Sequence, residues 1–198
     1  FKVSYSFSGI ALEQFEEYNP DILSSFQELH DTKQVEILSE TYYHSLSFMF
    51  SLKEFEAQIE LHKKKIRSLF NTTPKVFRNT ELIYNNVLAK FIENLGYEGI
   101  LAEGWDHYLQ GKSPNFVYRP RYCEGIKLLL KNYKLSDDIA FRFSDRKWSE
   151  WPLSADKFGS WVSAVNGNGD CVNLFLDYET LGEHQWESTG IFDFLKQI

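Results

Sequence analysis

Carboxylates, a histidine and aromatic rings crowd the stretch Phe175-Leu-Asp177-Tyr-Glu179-Thr-Leu-Gly-Glu183-His184-Gln-Trp186. Residues of these types can hold and cleave a glycosidic bond. One carboxyl group donates a proton to the departing oxygen, a second attacks or stabilises the anomeric carbon, and aromatic faces stack on the sugar. The run just before, Cys171 to Leu176, is short and mostly apolar, which predicts a strand buried on both faces of a parallel sheet. Whatever follows such a strand sits at its carboxyl end, where α/β enzymes carry their chemistry on exposed loops above a rigid sheet.

The same pattern recurs along the chain. Val35-Glu-Ile-Leu-Ser leads to Glu40-Thr-Tyr-Tyr-His44, Lys75-Val-Phe-Arg-Asn-Thr leads to Glu81, Gly99-Ile-Leu-Ala leads to Glu103-Gly-Trp105-Asp106, and Ile139-Ala-Phe-Arg-Phe-Ser leads to Asp145. A single acid after a strand is most simply a cap for the next helix, and Ser51-Leu-Lys-Glu54 is such a capping box. Five acids at one end of one sheet instead predict a charged pocket. Within it, Glu81 and Asp177 are the candidate catalytic pair. Arg78, Asn79 and Thr80 can hold the Glu81 carboxylate ionised as a nucleophile needs, while Leu176 and Tyr178 offer Asp177 an apolar setting suited to a proton donor. Glu81 alone serves equally well as an acid at a helix N-terminus.

The elements that must position these acids read as alternating strands and helices, the signature of a parallel sheet. Strands are predicted near residues 2–8, 35–39, 75–79, 99–102, 139–143 and 171–176, with Phe116-Val-Tyr-Arg as a candidate seventh. Leu52, Phe55, Ile59, Ile66 and Leu69 form one apolar helical stripe. A helix over 82–95 ends at Gly96, Pro20 splits the first helical region, and further helices are predicted over 121–132, 154–164 and 187–197. No repeat or low-complexity segment interrupts the chain, so residues 1–198 are read as one domain. Asn166-Gly-Asn-Gly-Asp170 marks a turn into the last strand.

Composition narrows the partners. The 21 basic and 28 acidic residues give a net charge of −7, which argues against nucleic acid. Lys63-Lys-Lys-Ile-Arg67 is the one basic cluster and reads as a solvated helix face. No apolar run is long enough for a membrane span. Aromatic residues make up 17% of the chain, enough to supply stacking rings as well as core. Cys123 and Cys171 are too few and too far apart for a metal knuckle or a disulfide framework, so a reducing, cytoplasmic setting is expected. His30, His44, His62, His107 and His184 are never four apart, which disfavours a metal-dependent deacetylase site. His30 and His62 are read as helix-surface residues, His62 with the option of joining the apolar stripe.

Three segments carry a specific resemblance: Glu40-Thr-Tyr-Tyr-His-Ser-Leu46, Phe77-Arg-Asn-Thr-Glu-Leu-Ile-Tyr-Asn85 and Phe175-Leu-Asp-Tyr-Glu-Thr-Leu-Gly-Glu-His-Gln-Trp186 resemble signature regions of glycoside hydrolase family 57, in its α-amylase branch. Ser113 to Pro120 and Phe143 to Trp148 are in keeping with it. The resemblance implies a retaining enzyme acting on α-1,4-glucans or maltooligosaccharides, an incomplete (β/α)7 barrel of mostly parallel strands, and no metal or other cofactor. It makes Glu81 the nucleophile and Asp177 the acid/base. It places Glu40, His44, Glu179 and His184 around the sugar being cleaved, and Trp105 and Trp186 as stacking rings, although the family often has a small residue at the position of Trp105.

Two departures qualify the match. The family opens with a strand ending in His-Gln-Pro, which is not found here, and it continues into a helical region beyond the barrel. The expectation is a core fragment without that first strand and lid. A glucan-binding protein that keeps the pocket without turnover is the non-enzymatic alternative.

Overall fold

Asn19 and Pro20 set the first break in the chain. In the computed structural model, which describes residues 2–198, β1 (Val3–Tyr5) is followed by α1 (Gly9–Tyr18) and α2 (Pro20–Asp31). Ser8 caps α1 by accepting the Ala11 N–H at 3.2 Å. Proline at the first position of α2 forgoes only a donor that has no partner inside the helix. β2 (Val35–Ile37) then pairs in parallel with β1, Val3 opposite Val35. The close approach of α1 to the residues after β2 requires Gly9, where a Cβ would stand 2.3 Å from the Tyr42 ring.

α3 (Leu52–Phe70) starts at the predicted cap, with Ser51 accepting the Glu54 N–H, although the Ser51 N–H goes to the Ser47 carbonyl and the Glu54 carboxylate accepts from Gln58 rather than closing the box, and it ends at Asn71 in the left-handed conformation. It buries Phe55, Ile59, His62, Ile66 and Phe70, so one face of the helix is wholly inside. Each large apolar side chain removed from water there contributes about 1.5–3 kcal/mol. Of the two readings of His62, the helix-surface position is corrected and the place in the apolar stripe is the one observed. It is completely buried and its Nε2–H donates to the Phe7 carbonyl at 2.7 Å, and burial holds its pKa below the usual range.

β3 (Val76–Arg78) pairs in parallel with β4 (Gly99–Glu103) across α4 (Asn86–Asn94), and β5 (Lys127–Lys131) follows beside β4. Among the described residues, sheet β1-β2 meets sheet β3-β4-β5 through one parallel bridge, Ser39 to Phe77, with bonds of 2.9 Å from Ser39 N–H to the Val76 carbonyl and 2.8 Å from Arg78 N–H to the Ser39 carbonyl. The architecture is therefore α/β with parallel strands, while the expected seven-stranded barrel is not seen: the ladders form two small sheets.

Three predicted elements are corrected. Residues 121–132 are not a helix, since β5 runs through them with Leu128 and Leu130 buried on alternate positions. Residues 139–143 are not a strand: α6 (Tyr133–Asp137) runs on into a π-helical turn, Asp138–Arg142, so Asp145 ends no strand. Residues 171–176 are extended but join no ladder, because the Asn173 side chain takes over the pairing. Its Nδ2 donates to the Leu130 carbonyl at 3.0 Å while its backbone carbonyl accepts the Asn132 N–H at 2.8 Å. The remaining helices, α5 (Asp106–Leu109), α7 (Ala155–Ser163) and α8 (Ile191–Gln197), include the two predicted after residue 150.

The chain folds as two compact units, Phe1–Ala102 with Tyr118–Leu128, and Glu103–Val117 with Leu129–Ile198. The first has a core of Phe7, Leu12, Leu23, Phe26, Ile37, Ile66 and Phe70. The second packs Ile139, Phe143, Leu153, Phe158, Ile191 and Phe194. Edge-to-face contacts such as Phe7 with Phe26, 4.7 Å between centroids, use many of the aromatic residues for packing. Among the described residues no helix is long and apolar enough to cross a membrane, and both cysteines are free.

The loop entering β5 is held by Glu93 of α4. Its Oε1 accepts the backbone N–H groups of Glu124, Gly125 and Ile126 at 2.8, 2.7 and 3.2 Å, and its Oε2 accepts from Lys90 at 2.7 Å. The Lys90 bond, followed by those backbone donors, lowers the Glu93 pKa from 4.5 to about 2. A depressed carboxylate contributes stability above its ordinary value and loses it as pH falls through the folded value. The Tm of the wild type should therefore exceed that of Glu93→Gln above pH 4.5, and the gap should close between pH 4.5 and 2 in melts followed by circular dichroism. A gap independent of pH would mean that the loop is held by something else.

Candidate active site

A buried carboxylate organises the first unit. Glu40, just beyond β2, is 1% exposed and accepts the Ser6 hydroxyl at 2.5 Å and the His44 Nδ1–H at 3.0 Å, with the Arg78 guanidinium 3.6 Å away. Ser6 follows β1 and Arg78 ends β3, so one acid gathers residues at the carboxyl ends of three strands. A buried carboxylate is tolerable only when paired and hydrogen-bonded, and removing a partner from such a pair costs about 3–5 kcal/mol.

His44 relays this arrangement to Glu81. Its Nε2–H donates to Glu81 Oε1 at 3.1 Å, so each ring nitrogen faces a carboxylate. Burial is the largest single influence on His44 and acts to lower its pKa, but the bonds to Glu40 and Glu81 outweigh it and the value is raised. Both carboxylates thus favour the imidazolium, which donates from both nitrogens, more than water does for a free histidine. Glu81 itself is exposed, with 72% of its side chain accessible.

The backbone at both ends of this contact is left-handed, with φ of +50° at His44, +54° at Glu81 and +54° at Leu82. Non-glycine residues in that region cost about 1–3 kcal/mol each and persist where the surroundings force them. Here the forcing comes from a threonine latch. The Thr41 and Thr80 hydroxyls lie 3.1 Å apart, Thr80 donates to the Ser45 carbonyl at 2.9 Å, and Ser45 N–H donates to Thr41 at 2.9 Å. Asn79 Nδ2 closes the turn on the Ile83 carbonyl at 3.0 Å.

In the second unit the loop carrying Asp177 folds on itself. Gly182 N–H donates to the Gln185 carbonyl and Gln185 N–H to the Thr180 carbonyl, both at 2.9 Å. The buried Gln185 side chain anchors the loop by donating to the Ala140 carbonyl in the π turn, also at 2.9 Å. Asp177, Glu179, His184 and Trp186 are presented outward, His184 with its ring edge-to-face against Phe141. The apolar surroundings expected for Asp177 are not found within this unit, where it is exposed. Trp105 is 58% exposed on a separate segment, after Glu103 and Gly104 at the end of β4.

Thus Glu40, His44 and Glu81 are gathered in one hydrogen-bonded cluster, and Asp177, Glu179, His184 and Trp186 share one anchored loop. Arg78 does not serve Glu81 as expected from its neighbourhood in sequence. It points to Glu40, and His44 takes the place beside Glu81. Ser6 was missed as a partner, although a hydroxyl at the end of a strand neighbouring one that leads to an acid is a usable signal. Among the described residues no three His, Cys, Asp or Glu side chains are grouped as metal ligands.

Because the His44 value is raised, the stability the cluster draws from it is present below the ordinary value of 6.5 and lost as pH rises through the folded value. Glu40→Gln removes the first of the two raising bonds while leaving burial in place. The His44 ring should then titrate at a lower pH than in the wild type, as read from its imidazole proton resonances. An unchanged titration would disprove the Glu40–His44–Glu81 chain.

The family model for glycosyl hydrolase family 57 matches residues 1–198. The chain is 47% identical to a Methanocaldococcus jannaschii protein named "Putative alpha-amylase", over 100% of this chain and 42% of that one. It is 24% identical to "Alpha-amylase 1" of Dictyoglomus thermophilum, over 96% of this chain and 29% of that one. Among solved structures, 4-alpha-glucanotransferase from Thermococcus litoralis shares the fold with a TM-score of 0.81, at 24% identity over 100% of this chain and 31% of that one. The chain thus spans less than half the length of these relatives. With three signature segments, parallel strands ending in acids and a family match along its whole length, the chain belongs to glycosyl hydrolase family 57.

Proposed function

We propose that this chain is the catalytic part of a retaining enzyme that cleaves or transfers α-1,4-linked glucans, with Glu81 as nucleophile and Asp177 as general acid/base. The observation that carries the reading is the bond from His44 to Glu81: a ring held from behind by the buried Glu40 fixes one oxygen of an otherwise exposed carboxylate and leaves the other free to attack, as a nucleophile requires. The names of the relatives, alpha-amylase and 4-alpha-glucanotransferase, support the substrate class. In this reading residues 1–198 act as one partial catalytic domain. The two free cysteines fit a reducing compartment such as the cytoplasm.

The free oxygen of Glu81 attacks the anomeric carbon, the glycosidic C–O bond breaks, and its electron pair stays on the departing oxygen, which takes the Asp177 proton. The resulting glycosyl ester is opened by water or by a glucan hydroxyl, whose proton goes to Asp177 as Glu81 leaves. Water gives hydrolysis and a sugar hydroxyl gives transfer. His44 holds Glu81 and meets the sugar at the cleaved position, the buried Glu40 positions His44 from behind and so acts on the sugar only through it, Glu179 and His184 supply further polar contacts from the second loop, and Trp105 and Trp186 offer stacking faces.

In the full-length enzyme, Glu81→Gln and Asp177→Asn should each lower kcat on maltooligosaccharides by about 10²- to 10⁴-fold or more while the circular dichroism spectrum is unchanged. Near-normal activity in either variant would overturn its assignment. Binding without release of reducing ends or transfer products in the wild type would instead mark a glucan-binding protein. Two displacements at one carbon restore its configuration, so proton NMR of fresh digests should show the α-anomer first. Initial β-anomer would exclude the covalent route.

A further inference from the structure

Within the second unit, a cleft of about 180 Å³ opens between Glu103, Trp105, Lys131, Tyr133 and Asp137. We propose that this cleft is a subsite for one uncharged pyranose ring of an α-glucan, a proposal that rests on the glucan-cleaving reading and adds Glu103, Lys131, Tyr133 and Asp137 to its binding residues. Lys131 Nζ lies 3.8 Å from Glu103 Oε2 and 3.8 Å from Asp137 Oδ1, beyond hydrogen-bond length from both. Its side chain is only 18% exposed, so an ammonium group and two carboxylates stand apart around a small space, with donors and acceptors left to a guest. Such spacing suits a ring of hydroxyls, which can accept from the ammonium and donate to the carboxylates at once.

The aromatic walls complete the match. Trp105 is 58% exposed, enough indole surface to stack on the apolar face of a sugar. Tyr133 is fixed by its hydroxyl, which donates to Asp106 at 3.0 Å, and Asp106 is paired in turn with Lys134 at 2.7 Å. The wall is also built to close tolerance. A Cβ on Gly104 would stand 2.0 Å from the Lys131 carbonyl oxygen, so only glycine lets Glu103 and Trp105 flank Lys131 as they do. One lysine against two acids leaves the cleft negative, which selects a neutral sugar over a phosphorylated one.

The test uses the full-length protein carrying Glu81→Gln, so that sugars bind without turnover, and maltotriose as the probe in calorimetry. Adding Trp105→Ala should raise Kd about tenfold, with Trp105→Phe losing less because it keeps a ring. Adding Lys131→Met should raise Kd about fivefold. Kd within twofold of the parent in both Trp105→Ala and Lys131→Met would overturn the subsite while leaving the catalytic reading intact. Tighter binding of glucose 1-phosphate than of maltose by the parent, lost in Lys131→Met, would overturn the neutral-sugar assignment. Failure of the wild-type enzyme to turn over any α-glucan sinks the catalytic reading, and this proposal with it.

Discussion

The pairing of the buried Glu40 carboxylate is the interaction on which the first unit's site depends. Surface ion pairs such as Lys75 with Glu98, 2.9 Å apart and each about two-thirds exposed, are screened by water and contribute little. Glu40 is different in kind, because an acid 1% exposed has no water to fall back on. Its charge must be met by protein, and the groups that meet it come from three strand ends. The requirement to satisfy one charge therefore fixes where the loops after β1, β2 and β3 stand relative to one another, in a place where the sheets themselves, among the described residues, share a single bridge, Ser39 with Phe77.

That same requirement explains why a histidine, rather than a lysine or arginine, stands between Glu40 and Glu81. A rigid ring with a donor at each end can span two carboxylates at 3.0 and 3.1 Å and transmit the position of the buried one to the exposed one. The threonine latch of Thr41, Thr80 and Ser45 works with it from the backbone side. Side chain and backbone thus point Glu81 outward together, at the expense of left-handed conformations that neither would impose alone.

Much of this was legible in the sequence where local and tertiary demands agree. Ser51 with Glu54, the stripe from Phe55 to Ile66, Gly96 after α4 and the break at Pro20 are signals that the chain obeys. So are the apolar runs at residues 35, 76 and 99, which led to Glu40, Glu81 and Glu103. The errors fall where tertiary pairing overrides local pattern. Residues 127–131 alternate buried and open positions and join the sheet despite neighbours that read as helix, while the apolar run 139–143 becomes a π turn inside the second core. At 171–176 the strand-like composition is real, but Asn173 bonds through its side chain and breaks the ladder. Partners that meet only in space, such as Ser6 with Glu40 and Lys131 with Glu103, have no local signature at all.

The left-handed residues around the candidate nucleophile set two kinds of selection against each other. Replacing Glu81 or Leu82 by glycine would relieve local strain, so mutation toward a more heat-resistant chain has an easy route at this loop. At Glu81 that route deletes the carboxylate, and at Leu82 it frees the turn that aims it. On the proposed catalytic reading, a library screened only for survival at high temperature would accumulate such changes and lose its catalysts, whereas one screened for turnover would keep a strained loop and gain its stability elsewhere, in the cores around Phe26 and Phe194.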